Sequence, residues 1–319
     1  MNTAFRDTVE RLRAAGIDNP RLDARVLWEF AREPNPPLEG GSKNPKDFSG
    51  RGSAPGFDPS PKFAPQISTL PQGEGGAVER FEGFVARRVA REPVAYITGT
   101  KGFWSLELDV GPGALVPRPE TETLVESVLA EFPDRTAPLQ VLDLGTGTGC
   151  LLLSVLSEYP RAHGIGIDAS LEALGWARRN ARKLGLANRC TLPAGNWADD
   201  LSDGFDVILS NPPYITRQDI ASLAPEIRFY EPWSALDGGP DGLDAYRALA
   251  PEIARLLNGT GLAFLEMGQA QGPAVAEIMA GAGLGTRKIV PDLAGIGRCV
   301  VAEHGSVIEK TVGSPAPNR

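Results

Sequence analysis

From residue 139 onward the chain alternates short apolar runs with amphipathic stretches, and this alternation confines it to very few folds. Strand patterns at 139–144, 163–168, 190–192, 205–210 and 261–266 are interleaved with helical patterns at 149–158, 171–184 and 243–257. A helix at 274–282 and two closing strands, 287–290 and 298–303, complete the series. Period 2 giving way repeatedly to period 3.6 predicts an α/β unit, a parallel sheet covered by helices on both faces. Ligands of such sheets bind at the carboxyl ends of the strands, so the loops there carry the functional argument.

Upstream the pattern differs. Phe5, Val9 and Leu12, then Leu22, Val26, Leu27 and Phe30, recur at helical spacing, and Asn19-Pro20 reads as an N-cap with proline at the first helical position. Residues 34–76 then hold nine prolines and eight glycines among 43 residues, with almost no periodicity. Such a segment buries too little apolar surface to offset its ordering entropy and reads as a disordered insertion, either an inert linker or a partner-docking segment. Helical period resumes at Val78, Phe81, Val85 and Val89 and ends near Glu92-Pro93. Tyr96-Ile97-Thr98-Gly99 precedes Phe103-Trp104, after which Leu106, Leu108 and Val110 alternate with Glu107 and Asp109, a hairpin pattern turning near Gly99 to Gly102. The division predicted is a helical domain over 1–92, a hairpin linker over 93–115, a catalytic α/β domain over 116–304 and a flexible tail over 305–319.

Composition narrows the chemistry. A net charge of −8 argues against a protein that grips nucleic acid through many phosphates. Two histidines, His163 and His304, and three scattered cysteines, Cys150, Cys190 and Cys299, offer no metal-ligand spacing, so no metal is expected. The free thiols, the absence of a signal-peptide pattern at the N-terminus and the lack of a membrane-length apolar run predict a cytoplasmic protein. No extra amphipathic seam is visible, and a monomer is expected.

Val141-Leu142-Asp143-Leu144-Gly145-Thr146-Gly147-Thr148-Gly149 ends a strand and opens a helix. Glycines let the backbone turn tightly and approach a ligand closely. The spacing is GxGxG, not the GxGxxG of a dinucleotide fingerprint, and no P-loop lysine follows. An acidic residue before GxGxG resembles the first motif of class I methyltransferases, where the turn carries the methionine part of S-adenosyl-L-methionine. Asp168 ends the next strand, 19 residues after Gly149, where a carboxylate can accept both ribose hydroxyl protons or simply cap the following helix. Trp197 follows the third strand and reads either as a wall for the adenine or as a core tryptophan.

Asn211-Pro212-Pro213-Tyr214 ends the fourth strand. Two prolines fix the backbone and remove two donors, leaving carbonyls free to accept. An acceptor NH₂ has two hydrogens to place and a lone pair that must face the donor methyl. The Asn211 side-chain oxygen and the Pro212 carbonyl can take the hydrogens, which orients the nitrogen, while Tyr214 can stack on a planar amide or base. An Asn-Pro turn with an exposed tyrosine is the plainer alternative.

Together these runs resemble N-methyltransferases of amide or exocyclic amino groups. Glu92-Pro93-Val94-Ala95-Tyr96-Ile97-Thr98-Gly99 with Phe103-Trp104, Val116-Pro117-Arg118-Pro119-Glu120-Thr121-Glu122, and Gly238-Gly239-Pro240-Asp241-Gly242-Leu243 are similar to the HemK/PrmC family of protein glutamine N5-methyltransferases. The resemblance covers nearly the whole chain outside residues 34–76 and the last fifteen. It implies a seven-stranded class I (Rossmann-like) methyltransferase sheet with a small N-terminal helical domain and a β-hairpin linker. It further implies methylation of the glutamine in the Gly-Gly-Gln loop of class I peptide chain release factors. On that basis Gly145, Thr146, Gly147, Thr148, Gly149, Asp168, Trp197 and Asn211 would contact the cofactor. Asn211, Pro212, Pro213 and Tyr214 would hold the glutamine amide, with Asn211, Pro212 and Tyr214 serving catalysis. Two departures stand out. The proline- and glycine-rich insertion falls where the family continues helically, and Met267 stands where the resemblance implies histidine.

A ribosomal-protein glutamine methyltransferase would present the same amide to the same residues. A DNA or RNA amino-methyltransferase would need a basic, aromatic-rich target domain, and no such region is visible. A non-catalytic binding module would be expected to break the glycine turn or to lose Asn211, and both are intact.

Overall fold

The computed structural model describes residues 3–33, 74–198, 201–202 and 204–305. The insertion expected at 34–76 lies outside the described residues up to residue 73, and so does the tail from residue 306. Two amphipathic helices, α1 (Thr3–Ala14) and α2 (Pro20–Ala31), pack with α3 (Glu74–Val89) around Leu12, Leu27, Phe81, Phe84 and Val85. Trp28 meets Phe81 edge to face at 5.2 Å. The Arg80 guanidinium donates to the Ala31 carbonyl at 2.9 Å, tying the end of α2 to α3. Asn19 holds the N-cap position of α2 through its carbonyl alone, since its side chain makes no capping bond. Residues 74–76, read as insertion, instead begin α3. The first turn of a helix has no intrahelical N–H bonds to lose, so two glycines are accommodated there.

The hairpin exists, but its turn is not where the sequence pattern placed it. Val94–Thr98 forms a short helix, α4, and Gly99 at φ 74 is its left-handed C-cap. Strands β1 (Thr100–Phe103) and β2 (Leu106–Asp109) then pair through a two-residue turn at Trp104-Ser105, with Trp104 at φ 55. Glycine's usefulness as a helix stop and as a turn residue made the two readings alike in sequence.

After α5 (Glu122–Glu131) come β3 (Gln140–Leu144), α6 (Cys150–Glu158), β4 (His163–Ile167), α7 (Leu171–Lys183), β5 (Cys190–Thr191) and β6 (Phe205–Ser210). Helices α8 (Pro225–Tyr230) and α9 (Asp244–Leu256), β7 (Leu257–Glu266), α10 (Gly272–Gly281), β8 (Leu284–Pro291) and β9 (Gly297–His304) follow. The seven strands lie in the order β5-β4-β3-β6-β7-β9-β8. One core layer packs α5, α6 and α7 on the sheet through Leu124, Val128, Leu152 and Leu174, and the other packs α9 and α10 through Tyr246, Ile253, Val275 and Met279. This is the doubly covered sheet of a class I methyltransferase fold. It is not wholly parallel, because β9 runs against both β7 and β8. Only residues 292–296 join β8 to β9, too few for the crossover that a parallel neighbour demands, so the chain must reverse. Among the described residues no helix is long and apolar enough to cross a membrane.

One buried side chain ties the hairpin to α7 and to the turn after β3. Asn180 of α7 accepts from the Asp109 N–H at 2.7 Å and donates to the Asp109 carbonyl at 3.0 Å and the Thr148 carbonyl at 2.9 Å. Asn180→Ala would strand these buried backbone groups, and a loss of about 3 kcal/mol in unfolding free energy is expected, measurable by urea titration.

Candidate active site

Strands β3, β4 and β6 end level with one another. Leu144 pairs with Ile167 on one side and Ser210 on the other, so the loops beginning at Gly145, Asp168 and Asn211 leave the sheet side by side. Gly145, Gly147 and Gly149 all adopt left-handed backbone, at φ 78, 57 and 81, which side chains with a Cβ rarely tolerate. The turn is held from beneath. The Gly145 and Thr146 N–H groups both donate to the Ile167 carbonyl at 2.9 Å, and the Thr146 hydroxyl donates to Asp143 at 2.7 Å. Burial pushes the Asp143 carboxyl up to about 7, against the pull of that hydroxyl. Thr146 and Thr148 keep their side chains buried, so what the turn offers a ligand is backbone. A Cβ placed on Gly147 would meet nothing within 4 Å, which leaves open space above the turn for a cofactor.

Asp168 reaches across to this turn. Its Oδ2 accepts from the Gly147 N–H and its Oδ1 from the Ser170 N–H, both at 2.8 Å. The capping of α7 falls to Ser170, whose hydroxyl accepts from the Ala173 N–H at 3.2 Å. Asp168 is therefore spared that task, and its remaining lone pairs can accept from a diol. Trp197, at φ 52, turns its ring toward the same turn, with Cζ3 3.7 Å from where a Cβ on Gly145 would stand. A left-handed tryptophan is strained backbone beside a ligand cradle. The glycine turn, the Asp168 carboxylate and the Trp197 ring thus stand around open space, while the N–H groups of Gly145, Thr146, Gly147 and Gly149 are engaged within the protein.

The acceptor run opens a cavity of about 150 Å³ lined by Arg118, Asn211, Pro212, Tyr214, Ile227 and Glu266. Asn211 Nδ2 donates to the Thr121 hydroxyl at 3.2 Å, which leaves Oδ1 as the acceptor edge. Tyr214 sits in a close-fitted cradle. Its hydroxyl donates to Glu266 at 3.2 Å, its carbonyl accepts from Gln271 at 3.0 Å, and a Cβ on Gly268 would lie 3.1 Å from its ring. Gly238 packs so near that an added Cβ would stand 2.8 Å from the Tyr214 Cα, which explains the glycine at that position. Burial, with Glu266 beside it, raises the Tyr214 phenol well above its ordinary range. Burial likewise raises the Glu266 carboxyl, and the Thr121 and Tyr214 hydroxyls offset only part of that.

The outer wall of the cavity, α8 and its flanks, is pinned twice. Glu231 is buried, accepts from the Val116 N–H at 3.2 Å and pairs with Arg118, yet burial still raises its carboxyl. Glu226 pairs with Arg88 at 3.0 Å and with Arg91, both on the N-terminal side. Burial opposes its ionisation, but its own backbone N–H and the Arg91 and Arg88 guanidiniums outweigh that and hold the carboxyl below its usual range. Thr121, Glu226, Glu231 and Glu266 were not singled out in the sequence as site residues. Thr121 lies in the run Val116–Glu122 and Glu266 stands next to Met267, both noted in the sequence, but only the fold shows what they touch.

Comparison with known proteins identifies the family. Residues 136–279 match a model described as a methyltransferase domain, and residues 74–99 match the PrmC N-terminal domain. The release factor glutamine methyltransferase of Caulobacter vibrioides is 43% identical over 309 residues, 96% of each chain. That of Cereibacter sphaeroides is 44% identical over 299 residues, covering 94% of this chain and 96% of the other. That of Rhodospirillum rubrum is 41% identical over 294 residues, covering 92% and 82%. Identity at this level along nearly the full length of these relatives means that the chain belongs to the release factor glutamine methyltransferase family.

Proposed function

We propose that this protein methylates the side-chain amide nitrogen, N5, of the glutamine in the Gly-Gly-Gln motif of class I peptide chain release factors, acting in the cytoplasm as a monomer. The observation that carries the reading is the fixed amide of Asn211, whose Nδ2 is engaged by Thr121 so that Oδ1 lies free to accept at the cavity. S-Adenosyl-L-methionine supplies the methyl group. The backbone of Gly145, Thr146, Gly147, Thr148 and Gly149 would receive its amino-acid part, Asp168 its ribose hydroxyls and Trp197 its adenine, with Asn211 at the junction of cofactor and acceptor.

An amide nitrogen is a poor nucleophile because its lone pair is delocalised into the carbonyl. Asn211 Oδ1 and the Pro212 carbonyl accept its two hydrogens, which raises electron density on nitrogen and fixes where the lone pair points. The same two acceptors stabilise the positive charge that develops there. Tyr214 stacks on the amide plane, and Pro213 keeps the run rigid. One proton leaves nitrogen for water after transfer, so this arrangement requires no dedicated general base.

The direct test is incubation of a purified class I release factor with this protein and labelled S-adenosylmethionine, followed by peptide mass spectrometry. One methyl on the Gly-Gly-Gln glutamine is expected; label on a ribosomal protein in its place would overturn the substrate assignment. Asn211→Ala is expected to lower kcat about a hundredfold or more, the scale of losing an oriented transition-state partner, with cofactor binding still measurable. Asp168→Ala is expected to raise the cofactor Kd about 10- to 100-fold by calorimetry, with saturation by the release factor little changed.

A further inference from the structure

Glu266 is the last residue of β7, and β7 lies beside β6, with Leu265 paired to Ser210. Glu266 and Asn211 therefore leave neighbouring strand ends together. The carboxyl is 1% exposed, and its Oε1 accepts from the Tyr214 hydroxyl at 3.2 Å. Its Oε2 is buried with no hydrogen-bond partner among the described residues. The strand end is itself immobilised, for the Tyr246 hydroxyl donates to the Glu266 carbonyl at 2.8 Å and Cys299 of β9 pairs beside it.

A carboxyl buried this deeply is costly, and an apolar residue would fill the same space without the cost. The side chain it does hold, Tyr214, lines the acceptor cavity. We propose that Glu266 is a positioning residue of the acceptor site, fixing the ring of Tyr214 through its hydroxyl before the glutamine enters. The inference rests on the acceptor reading given above and adds the residue that preorganises it. A site held by a second layer of fixed hydrogen bonds does not reorganise when substrate binds, and that advantage appears in kcat.

The test is a kinetic cycle with full-length release factor and S-adenosylmethionine, using Glu266→Leu, Tyr214→Phe, the double variant and Glu266→Gln. Glu266→Leu and Tyr214→Phe should each lower kcat about tenfold or more, the rate equivalent of one buried hydrogen bond to a charged group, with cofactor Kd held within about twofold. The double variant should lose little more than either single, because both remove one shared interaction. Glu266→Gln, which still accepts from Tyr214, should recover most of the turnover lost in Glu266→Leu. Fully additive losses, or unaltered kcat in Glu266→Leu, would overturn the inference. Where Glu266→Leu fails to fold, Tyr214→Phe decides, and full turnover in that variant overturns it equally. The unaltered chain is run alongside. Its failure to methylate the release factor would overturn the proposed function, whereas a working unaltered chain with a fully active Glu266→Leu removes only this inference.

Discussion

The parallel pairing of β3 with β4 on one side and β6 on the other aligns the three loops on which the site is built. Its register brings Leu144, Ile167 and Ser210 level, so that a glycine turn, a carboxylate and an amide emerge within reach of one another. Shifting either neighbour by one residue would carry each of its side chains to the opposite, equally covered face and mismatch the packing of both core layers. Loops that carry chemistry are thus aligned by the packing of residues that carry none.

On this base the charges are arranged inward. Although the chain is acidic in total, several arginines are spent as tethers. Arg88 and Arg91 hold Glu226, and Arg118 holds Glu231, fixing both ends of α8 against the cavity. The two carboxylates answer differently to burial. Glu226, gripped by two guanidiniums, stays readily ionised, while Glu231, deeper and with a single arginine, is pushed upward. The acceptor wall is consequently continuous with the N-terminal helices as well as with the sheet.

What the sequence makes legible is the chemistry that a few consecutive residues can encode. The GxGxG spacing, Asp168 at a strand end and Asn211-Pro212-Pro213-Tyr214 act through local backbone geometry, so their pattern survives in one dimension. Thr121, Glu231 and Glu266 meet their partners across 90, 115 and 52 residues, and no local pattern distinguishes them from ordinary polar positions. The hairpin turn was misplaced for a related reason, since Gly99 serves equally well as helix cap or turn and only the packing of α4 decides. Helix α5 escaped notice because five of its ten residues are buried, including Thr123 and Ser127, which blurs the polar face that periodicity relies on.

The contact between Arg80 and the Ala31 carbonyl means that the mutual placement of α2 and α3 is written into the helices themselves. The same holds for the core around Leu27 and Phe84, whose members all lie on the described helices or beside them. Such a bundle is specified by side chains that meet across space, so its geometry is inherited through substitutions at those positions and not through the peptide that joins them.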